Sequence, residues 1–328
     1  MKKVFYIVSI IIISILCMVS VSIFSADFPT RPITIINPMS PGGSRDVMAR
    51  SFGSVAEKLL GQPVVVINKP GAGGMIGMHA GAQAAPDGYT LTVTSSGDTC
   101  ALEWEVANGR KAPYTRHDFI AIGSVMLTPS IVVVPYNSPW KTITDLIRDC
   151  KAKPDYHAFA SGGMYGIVHI STEVLMKATG IKARNVPYQG GGPALTAVVG
   201  GHVDFSLQYP ATSIPLARGN KLKILAILGD KRVNSIPEVP TMKEMGFDAE
   251  SYQMVGFLAP RKTPMPVVEK LRETLAKVVK EKTFVDVVMG LGEEVYYMTG
   301  DELTRYLDQE TELIAKIMAE LPKEDQRK

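Results

Sequence analysis

Residues 33–46 read ITIINPMSPGGSRD, which is a short apolar run followed by a glycine-containing loop and the start of a more polar segment. The β-branched run Ile33–Ile36 predicts a strand that ends before a proline. From about Arg45 to Leu60 the apolar residues recur at helical spacing and Gly61 follows, which predicts an amphipathic helix with a glycine stop. A strand, a loop and a helix in this order form the repeating unit of an α/β fold with parallel strands.

The same unit recurs along the chain. Further strands are predicted at Val64–Ile67, Tyr89–Thr94, Ile131–Val134, Tyr156–Ala160, Val203–Leu207, Leu222–Leu228 and Val255–Leu258. The continuous β-branched run Val64–Ile67 is typical of a strand that is covered on both faces. Thr299 and Glu302 match a capping box, which predicts the start of a long final helix. The chain is therefore assigned to the α/β class.

Glycine-rich loops occur at similar places in successive units. They lie near residues 42–44, 71–74, 161–166 and 190–192, after predicted strands and before predicted helices. In open parallel sheets, ligands bind beyond the carboxyl ends of the strands, where such loops lie. Backbone N–H groups at helix starts, at the positive end of the helix dipole, bind anions without lysine or arginine. The loops therefore predict a crevice that binds an anion.

Length and composition exclude several classes of protein. The 328 residues, of which 46% are hydrophobic, suffice for one large or two ordinary domains. Lys plus Arg total 35 against 32 for Asp plus Glu, so the basic bias of a nucleic-acid-binding protein is absent from the sequence. The sequence has neither metal-ligand spacing nor a nucleophile motif, and Gly71–Gly77 is too long for a dinucleotide fingerprint. We predict no metal, no cofactor, no nucleic-acid partner and no enzymatic activity.

The first 26 residues match a secretory signal. Met1-Lys2-Lys3 is a short basic start, and Val4–Phe24 is almost wholly apolar. We predict a signal peptide over residues 1–26 and a periplasmic location, with Ser22 as an alternative end of the leader. The apolar run, about 20 residues, is also long enough to span a bilayer, so an uncleaved N-terminal anchor is the alternative. A lipoprotein site at Cys17 is the weakest interpretation, because a bulky residue precedes it.

Several loops resemble those of one family of transport receptors. The resemblance lies in Pro38–Asp46 with Ala49-Arg50, in Gln62–Gly74 with Ala85–Thr90, in Val186–Leu195 with Gly200–Asp204, and in Pro237–Thr241 with Glu244–Gly246. These stretches follow in order over residues 27–320. Together they resemble the Bug-type substrate-binding receptors of the tripartite tricarboxylate transporter family.

This resemblance implies a type II periplasmic-binding-protein fold, in which two α/β lobes joined by two crossovers close on a ligand in the cleft between them. We place one lobe at residues 27–128 plus 236–328 and the other at residues 129–235. Cys100 and Cys150 then fall in different lobes, where a disulfide would oppose the hinge motion. Although an exported protein can form disulfides, we predict two separate buried thiols.

The resemblance also implies a function. The protein is expected to be an extracytoplasmic solute-binding receptor that captures a di- or tricarboxylate or a related organic acid. Delivery would be to a two-component membrane permease of the tripartite tricarboxylate type, and the receptor is expected to be a monomer. The alternative from another class is a ligand-sensing subunit of a periplasmic signalling system, because a receptor sequence alone does not separate transport from sensing.

The family site, carried over to the matching positions, implies that amides and hydroxyls of facing loops hold the ligand. The first lobe would contribute Gly42, Gly43, Ser44, Ser95, Ser96 and Gly97, and the second lobe Ser161, Gly162, Met164, Tyr165, Gly166, Gly190, Gly191, Gly192 and Asp204. Charge-assisted hydrogen bonds of this kind contribute about 1.5–3 kcal/mol each.

These positions also have structural alternatives. The glycines would then serve only tight turns, and Ser44 and Ser161 would cap helices. Asp204 would orient a loop by accepting backbone hydrogen bonds. Asp46 lies in the first turn of a predicted helix and is interpreted as structural. His169 either packs in its helix or faces the pocket.

Two departures from the family pattern bear on specificity. Met164 and Tyr165 stand where small or polar residues are common, and Arg45 stands where a small or neutral residue is common. We hypothesise that Tyr165 stacks on a flat ligand and that Arg45 reaches a second carboxylate.

Overall fold

The computed structural model describes residues 28–164 and 166–320 of the chain. The strands are β1 Ile33–Asn37, β2 Val64–Asn68, β3 Thr90–Thr94, β4 Phe119–Pro135, β5 Ala158–Ser161, β6 Arg184–Pro187, β7 Phe205–Gln208, β8 Leu222–Leu228, β9 Tyr252–Pro260 and β10 Val295–Thr299. The helices are α1 Ser44–Leu60, α2 Met75–Ala82, α3 Ser96–Ala107, α4 Ile143–Ala152, α5 Ile167–Thr179, α6 Gly191–Val199, α7 Pro210–Arg218, α8 Met265–Val278, α9 Lys282–Gly290 and α10 Gly300–Glu320. The predicted signal peptide and Tyr165 lie outside the described residues.

The strands form two sheets that share one strand. The first sheet has the order β2-β1-β3-β9-β4, with β10 also paired to β4, and its first three strands are parallel. The second sheet pairs β4 with β8 and with β7, and continues through β5 to β6. Helices cover both sheets and form the two α/β lobes of the predicted fold class. None of the helices within the described ranges is both long and apolar enough to cross a bilayer.

Each sheet has its own hydrophobic core. In the first, Phe52 of α1 packs on Phe257 of β9 with 4.3 Å between ring centroids. In the second, Phe159 and Phe205 from neighbouring strands lie 5.8 Å apart, and Leu175 of α5 belongs to the same cluster. Fully burying each of these side chains contributes about 1.5–3 kcal/mol. Because the two clusters share no residue, each of them stabilises its own sheet.

The position of β2 corrects one expectation. Its β-branched run predicts a strand covered on both faces, but β2 lies at the edge of the first sheet and pairs only with β1 among the described strands. Val65 is 49% exposed and Ile67 is 36% exposed. The prediction was wrong because an apolar run shows that a strand is favoured but does not show whether both of its faces are covered: Val64 and Val66 pack on the core, whereas Val65 and Ile67 face solvent.

The strand β4 crosses from one sheet to the other. Its residues 119–129 pair with β9 in the first sheet, and residues 130–135 pair with β8 in the second. The first lobe boundary expected from the sequence, between residues 128 and 129, falls beside this switch.

The second crossover lies between β8 and β9. In this segment Ile236 and Val239 belong to a core of the second sheet, and Thr241 forms a β-bridge with Ile227 of β8. Met242 also packs in the second lobe. These contacts favour a boundary near residue 251 in place of the expected boundary at 235/236, because the intervening residues have their apolar contacts on the second sheet.

The capping box expected at the final helix is confirmed. The Thr299 N–H donates to the Glu302 carboxylate at 2.8 Å, and the Glu302 N–H donates to the Thr299 hydroxyl at 3.3 Å. Thr299→Ala is expected to lower the free energy of unfolding by about 1 kcal/mol, measured by urea denaturation. Thr304→Ala, in the same helix, is the control and is expected to cause no loss, because its hydroxyl only bonds the carbonyl one turn back. Equal losses in both variants would contradict a capping role.

Both described cysteines are buried free thiols, as predicted. Cys100 packs in a cluster with α10, whereas Cys150 belongs to the core of the second sheet. Burial raises the pKa of each thiol to about 12. The thiolate, which is the reactive form, is therefore disfavoured at neutral pH.

Candidate ligand-binding site

The glycine-rich turns of the two sheets meet at one place. A Cβ atom built on Gly97 would lie 2.5 Å from the backbone nitrogen of Ile167, and one built on Gly163 would lie 2.8 Å from the Cα of Gly73. The Ser40 hydroxyl donates to the Gln189 carbonyl at 2.7 Å, which joins the two sides again. Only glycine permits these backbone approaches, because any side chain would occupy the space of the facing loop. The shared crevice expected from the sequence is therefore present.

A cavity that is open to solvent on one side lies between these turns. Its first-lobe wall consists of the loop and helix start 39–46 together with Gln253 of β9. Its second-lobe wall consists of Gly162, Gly166, Ile167, Val168, Gly191, Gln208, Tyr209 and Thr212. The wall therefore combines residues of both lobes around one cavity.

Three helices begin at this cavity without a side-chain cap. The cap positions of α1, α5 and α6 are Gly43, Gly166 and Gly190, and none of them makes a side-chain capping bond. The start of α7 also lies at the cavity, but its first residue, Pro210, has no N–H, and the Ala211 N–H donates to the Glu293 carboxylate. The helices α4 and α10, whose starts do not line the cavity, carry capping boxes. The helices α8 and α9 also lack a side-chain cap, so the convergence on one cavity, rather than the missing cap, distinguishes the three. Their first-turn N–H groups are suited to hold an anion.

Three buried polar atoms of the cavity wall have no hydrogen-bond partner among the described residues. They are the Ser44 hydroxyl, the Tyr209 hydroxyl and the Gln253 side-chain oxygen, on residues that are each 4% exposed. An unpaired buried polar group costs about 1–3 kcal/mol, so a partner from outside the chain, a ligand or water, would stabilise each of these atoms. Because Gly43 occupies the cap position of α1, the alternative that Ser44 caps this helix is not supported.

An ion pair lies behind the first-lobe wall. Arg45 lines the cavity, and its Nη1 lies 2.6 Å from Oδ2 of Asp98. The Arg45 and Asp98 side chains are 5% and 0% exposed. The other oxygen of Asp98 accepts the Ser95 N–H at 3.1 Å.

Asp46 makes the contacts of a structural residue. Burial acts to raise the pKa of its carboxyl, but hydrogen bonds from Arg50, Asn68 and the Gly42 N–H outweigh burial and lower that pKa. The distance from the Asn68 amide to Asp46 is 2.8 Å, and the Gly42 N–H donates at 3.1 Å. Asp46 therefore fixes the loop that precedes α1, in agreement with the structural interpretation.

Five residues of the expected site line the cavity. They are Gly43, Ser44, Gly162, Gly166 and Gly191. Gly42 and Gly192 line a shallower opening, which they share with Ser40.

Other expected residues do not line the cavity but contact the residues that do or the loops beside them. The Ser95 N–H donates to Asp98, and Gly97 packs on the start of α5. The Ser161 hydroxyl donates to the Gly163 carbonyl at 3.3 Å. Ser96 is fully buried in the first turn of α3.

The remaining expected residues lie further from the cavity wall. Asp204 accepts the Ala158 N–H at 2.8 Å, which matches the alternative that it orients a loop. The Met164 sulfur accepts a hydrogen bond from the Asn185 amide at 3.1 Å. Gly190 precedes α6 and faces Ser40. His169 is 1% exposed and stacks on Phe159, so it packs in its helix.

Sequence reasoning missed several residues of the wall, namely Met39, Ser40, Gln208, Tyr209, Thr212 and Gln253. Gln208 and Tyr209 follow an apolar strand at its carboxyl end, so the rule that identified the glycine loops applies to them as well. Burial raises the pKa of Tyr209 above its usual range, so its hydroxyl remains protonated at neutral pH. Gln253 lies within β9, where no sequence signal marks it.

Comparison with known proteins agrees with this geometry. The family described as tripartite tricarboxylate transporter family receptor matches residues 48–322. The chain belongs to this family. Protein BugT of Bordetella pertussis, a curated relative, is 33% identical over 299 residues, which cover 90% of this chain and 91% of BugT. This receptor is therefore a solute-binding protein and not an enzyme.

Solved structures share the fold of this tripartite tricarboxylate transporter family receptor. The periplasmic binding protein BugD is 31% identical, with a TM-score of 0.82 over 89% of this chain and 98% of BugD. MatC of Rhodopseudomonas palustris, solved with bound malate, is 27% identical, with a TM-score of 0.81 over 88% of this chain and 99% of MatC. The receptor therefore has the two-lobe fold of periplasmic binding proteins.

Proposed function

We propose that this receptor binds a small organic acid in the cavity between its two lobes and delivers it to a tripartite tricarboxylate-type membrane permease. The observation that carries the proposal is the convergence of three uncapped helix starts, from both lobes, on one cavity. A carboxylate accepts several N–H hydrogen bonds at once, and each contributes about 1.5–3 kcal/mol. The malate bound to MatC is an acid of this class.

The binding cycle follows from the two crossovers. The lobes separate by bending at β4 and at the segment between β8 and β9, which exposes the helix starts to solvent. A bound carboxylate contacts amides of both lobes and therefore favours the arrangement in which the lobes approach. The permease would recognise this liganded arrangement. The predicted leader is consistent with a receptor that acts in the periplasm, and we propose that it acts there as a monomer.

A thermal-shift screen over mono-, di- and tricarboxylic acids tests the binding step. The purified receptor, without its leader, is expected to gain about 2.7 kcal/mol when an acid is present at 100 times its dissociation constant, a rise of about 5 °C in melting temperature. The neutral amide of each acid is the control and is expected to give no shift. If no acid stabilises the receptor, or if acids and amides stabilise it equally, the carboxylate proposal fails.

Uptake by intact cells tests delivery. A strain that lacks this receptor is expected to lose uptake of the radiolabelled acid that gives the largest thermal shift. Resupply of the receptor should restore uptake only in the presence of the permease. Normal uptake without the receptor would contradict a transport role and favour a sensing role.

A further inference from the structure

One side chain supplies the fixed positive charge of the cavity wall. Among the described lining residues, Arg45 is the one that carries a positive charge, and an arginine remains protonated at all relevant pH values. Asp46 also lines the cavity, but Arg50 and Asn68 engage its carboxylate. The second-lobe part of the wall has helix starts and no basic side chain among its described residues.

Asp98 holds Arg45 in place. The Arg45 Nη1 contacts one oxygen of Asp98, and Ser95 donates to the other oxygen through its N–H at 3.1 Å and its hydroxyl at 3.3 Å. Asp98 itself does not line the cavity. The guanidinium group is therefore oriented by a carboxylate that the ligand does not contact.

Most of the hydrogen-bonding capacity of Arg45 is left for a ligand. A guanidinium group has five N–H donors in a planar fork, and Asp98 is the one acceptor that Arg45 bonds among the described residues. The Arg45 side chain is 5% exposed, so bulk water reaches little of it. A carboxylate is the group that fits the fork of an arginine with two parallel hydrogen bonds.

The cavity thus has two different anion-binding walls. The second-lobe wall presents the starts of α5 and α6, whereas the first-lobe wall presents the start of α1 together with Arg45. We infer that Arg45, positioned by Asp98, is the specificity-determining residue that selects ligands with a second carboxylate over monocarboxylates of the same chain length. This inference rests on the proposed carboxylate-binding function, and it adds the residue that discriminates within the class.

Isothermal titration calorimetry on matched acids tests the inference. Succinate is compared with butyrate, and adipate with hexanoate, on the wild-type receptor and on Arg45→Met. The wild type is expected to bind the better dicarboxylate at least tenfold more tightly than its monocarboxylate partner. Arg45→Met is expected to lower the dicarboxylate affinity by about tenfold to a hundredfold and to change the monocarboxylate affinity less than threefold.

Further variants separate specificity from structure. Asp98→Asn is expected to reduce the ratio of dicarboxylate to monocarboxylate affinity while monocarboxylate binding persists, which a purely structural role would not produce.

The double variant Arg45→Met/Asp98→Asn leaves no unpaired buried carboxylate, so it replaces Arg45→Met in the titrations if Arg45→Met does not fold. If neither of these variants folds, Arg45→Lys is used, because it keeps the charge without the planar fork. A lower ratio of dicarboxylate to monocarboxylate affinity than in the wild type is then the expected result. Arg31→Met, which affects an exposed ion pair with Asp87, is the matched control and should leave the ratio unchanged.

Failure of the inference and failure of the proposed function give different results. Equal loss of both ligand types in Arg45→Met would show that Arg45 only builds the site, and an unchanged ratio in all Arg45 variants would also overturn the inference. A wild-type receptor that binds mono- and dicarboxylates equally well would overturn the inference but leave the proposed function standing. A wild-type receptor that binds no carboxylate would overturn the proposed function itself.

Discussion

Gly97→Val is expected to weaken ligand binding by about fivefold to 150-fold while the ligand-free receptor keeps its melting temperature to within about 2 °C. Gly97 is the second residue of α3, and its φ lies outside the left-handed region, so its own helix tolerates a side chain. A Cβ atom at this position would lie 2.5 Å from the backbone nitrogen of Ile167 and 3.0 Å from the carbonyl carbon of Gly166. The clash is between lobes and with backbone, which cannot rotate away.

Because the overlap occurs only when the lobes approach, its cost is subtracted from the binding free energy. Overpacking costs about 1–3 kcal/mol, and each 1.4 kcal/mol corresponds to a factor of about ten in affinity. Calorimetry with the acid identified by the thermal-shift screen measures the loss. Gly290→Val is the control, since a Cβ there meets nothing within 4 Å. Unchanged binding by Gly97→Val would show that the lobes need not approach to hold the ligand.

The receptor is expected to lose about 3 kcal/mol of stability through one carboxyl group as the pH rises from about 4.5 to 7. Glu293 is 3% exposed, and burial raises the pKa of its carboxyl from 4.5 to about 7, against the opposing effect of its hydrogen bonds. It contacts the Thr128 hydroxyl at the switch in β4 and accepts the N–H of Ala211 in α7 at 2.9 Å. It thus joins the segment before β10 to the second lobe.

The direction follows from the raised pKa. Below pH 4.5 the group is protonated in both the folded and the unfolded chain, so it contributes no difference. Between pH 4.5 and 7 the unfolded chain releases the proton while the folded protein retains it, which favours unfolding. Glu293→Gln keeps a neutral group of the same shape and is expected to remove this part of the pH dependence.

Urea denaturation at pH 5, 6 and 7.5 measures the difference between Glu293→Gln and the wild type. Glu294→Gln, the exposed neighbour that accepts a hydrogen bond from Asn234 at 2.7 Å, is the matched control and should follow the wild-type profile. Parallel profiles for Glu293→Gln and the wild type would mean that Glu293 is ionised in the folded protein at pH 5, contrary to the expectation.

Much of the fold was predictable because local patterns determine it. The alternation of strands and helices gives parallel sheets, and the glycine loops meet because the carboxyl ends of parallel strands share an edge. Features that depend on distant pairing were not predictable. The edge position of β2 depends on its neighbours, and the second crossover depends on contacts such as Thr241 with Ile227.

The candidate site was predictable to a similar degree. Loop residues such as Ser44 carry a local signal, since they follow a strand and begin a helix. The partner of Arg45 carries none, because Asp98 stands 53 residues later in the chain and meets it only in the folded protein. Gln253 enters the wall because β9 runs antiparallel to β3, so that the start of β9 lies beyond the carboxyl end of β3, an arrangement that no periodicity indicates.

The shared strand β4 has a consequence for how the receptor unfolds. Its first part supplies ladder hydrogen bonds to one sheet and its second part to the other. Neither half of the polypeptide can therefore be excised as an independent module without stripping the remaining sheet of a central member. Melting of one half withdraws an ordered strand from the other, so the two hydrophobic cores, although separate in space, are coupled into a single cooperative transition.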